Sequence, residues 1–211
     1  MAVTTEIDLA AAESAAITSI EQLEALFGKP KQTSVGKESE AMSQAEQAFI
    51  RASPFHLLAT ANTDGMCDVS PRGDPPGSVH VLCDRTLILP ERTGNKRVDS
   101  LRNIVVNPHV GLLFLAPGVD ETLRINGIAR LTTHEPLLAL FPMQGKIPDL
   151  AIIVHTAEVY MHCARAFRRS NLWNPSTWPE PGSVPARSAV LKEKLALREP
   201  LEENTAEREE R

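Results

Sequence analysis

FHLLATANTDGMCDVSPRGDPPG, residues 55–77, sets two runs rich in strand-forming residues on either side of a polar NTDG. FHLLATA reads as a buried strand and MCDVSPR as the strand that returns beside it. Asp64-Gly65 between them signals a hairpin, because glycine accepts the left-handed backbone that a tight turn requires. GDPPGS then reads as a stiff loop, since two prolines fix φ.

The same pattern continues outward. SVHVLC and TLILP, around Asp84-Arg85, read as strands, as do VGLLFLAPG, ETLRINGIARLT and LAIIVHTAEVYM. The run VGLLFLAPG is too apolar to face water on either side. Helices are expected at SIEQLEALFG, capped by Ser19 and stopped by Gly28, and at AMSQAEQAFIRAS, which puts Met42, Ala45, Phe49 and Ile50 on one side. Further helices are expected from Asn95 to Asn107, at EPLLALFPM and at CARAFRRSNLW. Roughly six or seven strands joined mostly by hairpins describe a closed antiparallel barrel with helical decoration. A parallel doubly wound sheet is excluded, because strands and helices do not alternate. Residues 1–40 form an N-terminal extension of helix and loop, its first sixteen residues expected to fray. Residues 41–180 form the barrel domain and 181–211 a charged tail, helical or disordered.

Composition narrows the function. The chain has 211 residues, 42% of them hydrophobic, which suits one core. A net charge of -5 argues against a general nucleic-acid binder. No apolar run of about 18 residues suggests a membrane span. The acidic N-terminus lacks the basic region of a secretory signal. With Cys67, Cys83 and Cys163 too scattered for a disulfide framework, a reducing, cytoplasmic compartment is expected. Cys67 and Cys83 lie in or beside strands and read as small buried hydrophobes. No Rossmann, P-loop, nucleophile-elbow or HExxH motif is present. His155, Glu158 and His162 suggest metal ligands, but on a straight strand 155 and 162 face opposite ways, so no metal is expected.

One oddity remains. The helix expected from Asn95 carries Lys96 and Arg97 in its first turn, the end that prefers negative charge. Gly94 and Asn95 sit where a cap belongs, and Val98, Leu101, Ile104 and Val105 should pack inward. An anion such as phosphate would turn the two cations into an asset, with free N–H groups and Ser100 as further donors. The alternative is an exposed pair screened by water. Ser70 and Arg72 share one face of the second strand with Asp68, and Arg72 enters the proline loop, where it is either an anion ligand or a salt-bridge partner of Asp68 or Asp74. Trp173 and Trp178, in a chain with 4% aromatic residues, are caps on the core or stacking plates for a flat ligand.

FHLLATANTDGMCDVSPRGDPPG, GNKRVDSLRNIVVNPHVGLLFLAPG, ETLRINGIARL and HCARAFRRSNLWNPSTWP together resemble the pyridoxamine 5'-phosphate oxidase-like, FMN-binding split-barrel superfamily, over about residues 40 to 180. The resemblance implies an α+β, mainly β fold: a six-stranded antiparallel split barrel with Greek-key connections. It implies a homodimer with FMN at the subunit interface. Arg72, Lys96 and Arg97 would hold the FMN phosphate, and Arg124 and Ser70 would tune the flavin's potential by hydrogen bonds. Leu89 and Pro90 would approach the isoalloxazine, and Thr122 or Arg124 would contact the flavin. Trp173, with Trp178 as the alternative, would pack by it, often from the other subunit. The implied activity is an FMN-dependent oxidoreductase acting on a small molecule, with a nicotinamide or oxygen as electron partner. Sequestration of FMN without turnover is the alternative. The chain ends WPEPGSVPARSAVLKEKLALREP and lacks the Arg-Leu-His-Asp-Arg run with which the vitamin-making oxidase grips its substrate.

Overall fold

A computed structural model of the chain describes residues 7–29, 38–92, 94 and 96–196. Its strands are β1 (Phe55–Ala61), β2 (Cys67–Gly73), β3 (His80–Cys83), β4 (Thr86–Glu91), β5 (His109–Leu115), β6 (Thr122–Thr132) and β7 (Leu150–His162). Its helices are α1 (Leu9–Ser14), α2 (Ile20–Phe27), α3 (Gln44–Ala52), α4 (Asp99–Val106), α5 (Glu135–Leu138), α6 (Arg165–Ser170) and α7 (Arg187–Ala196). The strands make one antiparallel sheet in the order β2-β1-β5-β6-β7-β4-β3. That is seven strands where the family resemblance implied six. Strands β5, β6 and β7 run consecutively, and β4 returns beside β7 by way of α4, which is a Greek key. The sheet curls until β2 faces β4 across a split, where Arg72 forms an ion pair with Glu91.

Alternation explains the curl. Leu58 pairs with Leu112, Leu112 with Ile125, and Ile125 with Val159, so one row of buried side chains crosses four strands. Burying each such side chain is worth about 1.5–3 kcal/mol. The next row inside sets His56 beside Phe114 and Phe114 beside Leu123. The outward residues of β5, Gly111, Leu113 and Leu115, are half-buried. Helix α3 starts in a capping box, with Ser43 and Glu46 each bonding the other's backbone, a device worth about 1 kcal/mol. The hairpin between β1 and β2 turns where expected: Gly65 takes φ 79, and the Asn62 carboxamide oxygen accepts from the backbones of Asp64 and Met66.

Several expectations change. Residues 9–14 form a capped helix rather than fraying. Ala45 is exposed while Met42 and Ile50 are buried, because the buried stripe of α3 is narrower than the sequence spacing suggested. Cys67 and Cys83 are exposed, since Cys67 begins the edge strand β2 on its outward side and Cys83 sits at a turn. The helix expected from Asn95 begins at Asp99. Within it Ile104 is buried, but Val105 is 72% exposed and Val98, outside the helix, 42% exposed. The charged tail beyond Ala196 lies outside the described residues. No described helix is long and apolar enough to cross a membrane.

Strands β6 and β7 slip register between Asn126 and Gly127. A Cβ on Gly127 would stand 2.3 Å from the His155 carbonyl oxygen, which is backbone and cannot move aside. Gly127→Ala should therefore lower stability by roughly 3 kcal/mol, read as a fall in the midpoint of urea unfolding with an unchanged slope.

Candidate functional site

The cleft lies at the split, and α4 forms one wall. Two side-chain bonds pin that helix to the first hairpin: Asn103 Nδ2 donates to Thr60 Oγ1 at 3.0 Å, and Ser100 Oγ donates to Asp68 Oδ2 at 2.8 Å. Ser70 Oγ stands 2.8 Å from Ser100 Oγ. A hydroxyl has one proton, and that of Ser100 is committed to Asp68, so Ser70 is the donor of this pair.

Ahead of the helix, Lys96 and Val98 take positive φ, 62° and 52°. A β-branched residue in the left-handed region is an outlier that costs on the order of 1–3 kcal/mol. The two strained positions bracket Arg97 and turn the chain into the cleft. Lys96 and Arg97 thus belong to a loop, not to the first turn of the helix. That turn carries Asp99, the charge its dipole favours, and Arg97 Nε donates to Asp99 Oδ2 at 2.8 Å. Val98 rather than Gly94 or Asn95 is the cap position, and it supplies no side-chain cap. Asn95 lies outside the described residues.

The resulting cleft has a volume of about 420 Å³, within the usual range for a small-molecule site. Ser70, Arg72, Lys96, Arg97 and Ser100 all line it. Four carboxylates line it too, Asp68, Glu91, Asp99 and Asp149, against the four cations Arg72, Arg92, Lys96 and Arg97. The sequence reading named Asp68 and Asp74 as alternative partners for Arg72. The partner is Glu91, each side chain 21% exposed, while Asp74 holds Arg92 Nε at 2.8 Å. Arg92 Nη1 also donates to the Phe141 carbonyl at 2.9 Å, which ties the proline loop to the chain after α5. Lys96 has no ion-pair or hydrogen-bond partner among the described residues. Hydroxyls, guanidinium groups and an ammonium converging on one space suit a phosphate, provided its oxygens replace the carboxylates that now occupy the guanidinium groups.

Leu89 and Pro90 line a small void of about 20 Å³ together with His56, Leu58, Arg72 and Ile152. Arg72 is common to void and cleft. His56 pairs with Arg72 in the β1–β2 register and stacks on Phe114 at a centroid distance of 4.9 Å. It is 8% exposed, and its Nε2 is buried without a hydrogen-bond partner. Burial, then the Arg72 charge, pushes this imidazole down to about 4, against a smaller pull upward from Asp74. The sequence reading missed His56, although the hairpin register and the alternation of β1 place it inside, opposite Arg72.

Three expected contacts do not come to the cleft. Thr122 is buried at the start of β6. Arg124 lies on the other face of the sheet, 3.4 Å from Glu158 Oε2 and 4.9 Å over the Tyr160 ring, with its Nε buried and unpartnered. Glu158 also accepts from Asn126, and His155 bonds Thr86. Burial, then Arg124, holds His162 below its ordinary value. Trp173 stacks on Phe167 at 5.7 Å and donates from Nε1 to the Val119 carbonyl at 2.9 Å, beside the β5–β6 turn. Trp178 donates to the Leu172 carbonyl at 2.9 Å.

Two outcomes follow from these contacts. Glu91→Gln should raise the affinity for inorganic phosphate roughly fivefold, since the ligand no longer competes with a carboxylate for Arg72; isothermal titration would measure it. The unfolded chain protonates this imidazole near 6.5, the folded chain only near 4. His56 therefore subtracts stability as pH falls from about 6.5 to about 4. That part of the pH dependence of urea unfolding should vanish in His56→Phe.

The family described as Pyridoxamine 5'-phosphate oxidase matches residues 42–163. No curated protein sequence matches the chain. Among solved structures, HupZ of Group A Streptococcus is 21% identical, with 57% of this chain and 93% of that one covered and a TM-score of 0.47. An FMN-binding protein of Syntrophomonas wolfei is 12% identical, with 74% and 97% covered and a TM-score of 0.42. HutZ of Vibrio cholerae, described as a heme storage protein, is 13% identical, with 58% and 94% covered and a TM-score of 0.40. Since the family match takes in most of the barrel and more than half of the residues, the chain belongs to the pyridoxamine 5'-phosphate oxidase-like superfamily of FMN-binding split barrels.

Proposed function

We propose that the chain binds FMN with the phosphate between β2 and the loop ahead of α4, and acts as an FMN-dependent oxidoreductase on a small molecule. The observation that carries this reading is the meeting of Ser70, Arg72, Lys96, Arg97 and Ser100 in one cleft. They come from two segments about 25 residues apart in the chain, and each has a donor suited to phosphate. Family membership gives the phosphate a flavin as its carrier. Bound FMN supplies hydride and electron transfer. The chain's own task is to hold and orient it, which needs no nucleophile-base pair.

We further propose that the working form is a homodimer. On the outer face of the sheet, Pro71, Leu57 and Leu113 form an apolar row that continues to Arg124 and Tyr160. Val69 beside it is 58% exposed. A second copy on this face would cover the row. Trp173, placed away from its own cleft, would then serve the partner's flavin. A nicotinamide or oxygen completes the electron balance.

Flavin fluorescence quenching tests the first claim. Wild type should bind FMN, and Arg97→Glu should weaken it about a hundredfold with the circular dichroism spectrum unchanged; equal affinities would remove Arg97 from the site. Light scattering of the flavin complex should give twice 23.1 kDa, and a monomer would end the dimer reading. NADH or NADPH oxidation by the flavin complex separates an oxidoreductase from a protein that only sequesters FMN.

A further inference from the structure

The void behind Arg72 remains unexplained by a phosphate clamp. Its volume of about 20 Å³ admits a single heavy atom and no ring. Its lining is apolar except for two groups, the His56 imidazole and the Arg72 guanidinium. The other buried polar side chains of the first hairpin and the adjoining helix are satisfied: Ser53, Thr60 and Ser100 all make hydrogen bonds. His56 is nine-tenths buried, yet its Nε2 has no partner. Its ring is fixed by the stack on Phe114. A ring so held, with an unpartnered nitrogen beside a one-atom space, calls for an acceptor there.

The direction of the cleft says what reaches it. Along β2, Ser70 and Arg72 point to the same side, roughly 7 Å apart. Ser70 stands at the Ser100 end, where the phosphate donors gather, and Arg72 is the next group along. Beyond Arg72 come the void and the β4 residues Leu89 and Pro90. A ligand whose phosphate sits at Ser70 and Ser100 and which runs along β2 passes Arg72 and reaches this position.

We propose that the void is the ring-end subsite of the cleft: it takes one carbonyl oxygen of the isoalloxazine, and His56 Nε2–H is the donor to that oxygen. The inference rests on the flavin reading and adds a contact that the phosphate clamp does not provide. The imidazole is neutral over the working pH range, so it donates from one nitrogen without placing a second cation beside Arg72. Arg72 lines both the cleft and this subsite, so parting of the Arg72–Glu91 ion pair on phosphate binding would open the way to it.

The experiment compares FMN with riboflavin, which lacks the phosphate, on wild type, His56→Phe and His56→Gln. Phenylalanine keeps the stack on Phe114 and removes the donor; glutamine returns a donor. His56→Phe should lose about tenfold in affinity for both flavins, and His56→Gln should recover part of that loss for both. The His56 Nε2 resonance of wild type should also shift when riboflavin is added. Unchanged affinities in His56→Phe would overturn the proposal. So would a loss confined to FMN, which would mean that His56 acts on the phosphate end through Arg72. If His56→Phe does not fold, His56→Leu is read by the same criteria. Wild type that binds neither flavin would refute the flavin reading itself, and this subsite with it, an outcome visible before any variant is made.

Discussion

Two hydrogen bonds, Ser100 to Asp68 and Asn103 to Thr60, decide where the cationic loop stands. They hold α4 against the first hairpin, so the residues ahead of the helix must descend into the split of the barrel. The chain meets that constraint with positive φ at Lys96 and Val98. Neither residue is a glycine, and valine in this conformation is strained. Strain of this kind persists only where the surroundings over-determine the backbone. Here the surroundings are the helix dock on one side and β4 on the other.

The charges in the cleft follow a second logic. Arg72 is held by Glu91, Arg92 by Asp74 and Arg97 by Asp99. The cleft is thus internally neutralised, which spares the fold the repulsion of several cations at close range. A phosphate bound as proposed would enter by exchange, its oxygens replacing carboxylate oxygens on the same guanidinium groups. The net gain is smaller than for an open cationic pocket. In return, the side chains are ordered beforehand, which lowers the entropy lost on binding.

Much of the barrel was legible because strand alternation is a local property. The hairpin at residues 55–73 could be read from its apolar runs and Asp64-Gly65, and β5 to β7 from their length and β-branched content. The start of α4 could not. Helical spacing extended back to Asn95, whereas the true boundary is set by Val98, whose left-handed backbone marks the start of the helix. The cysteines were misread for a similar reason: being in a strand does not say which face meets water, and β2 is an edge strand. Ser70, Arg72, Lys96, Arg97 and Ser100, singled out by type and spacing, line one cleft. Glu91 was not singled out, because it meets Arg72 across the split, which only the folded sheet brings together; His56 was not either, although the β1–β2 hairpin register sets it opposite Arg72.

The central claim is that the cleft at the split exchanges its carboxylates for a flavin phosphate. A crystal structure of the protein grown with FMN tests it most directly. The account predicts phosphate density within hydrogen-bond distance of Ser70, Ser100 and Arg97, with Glu91 swung away from Arg72. Flavin bound elsewhere, or bound here with the Arg72–Glu91 pair still closed, would contradict it.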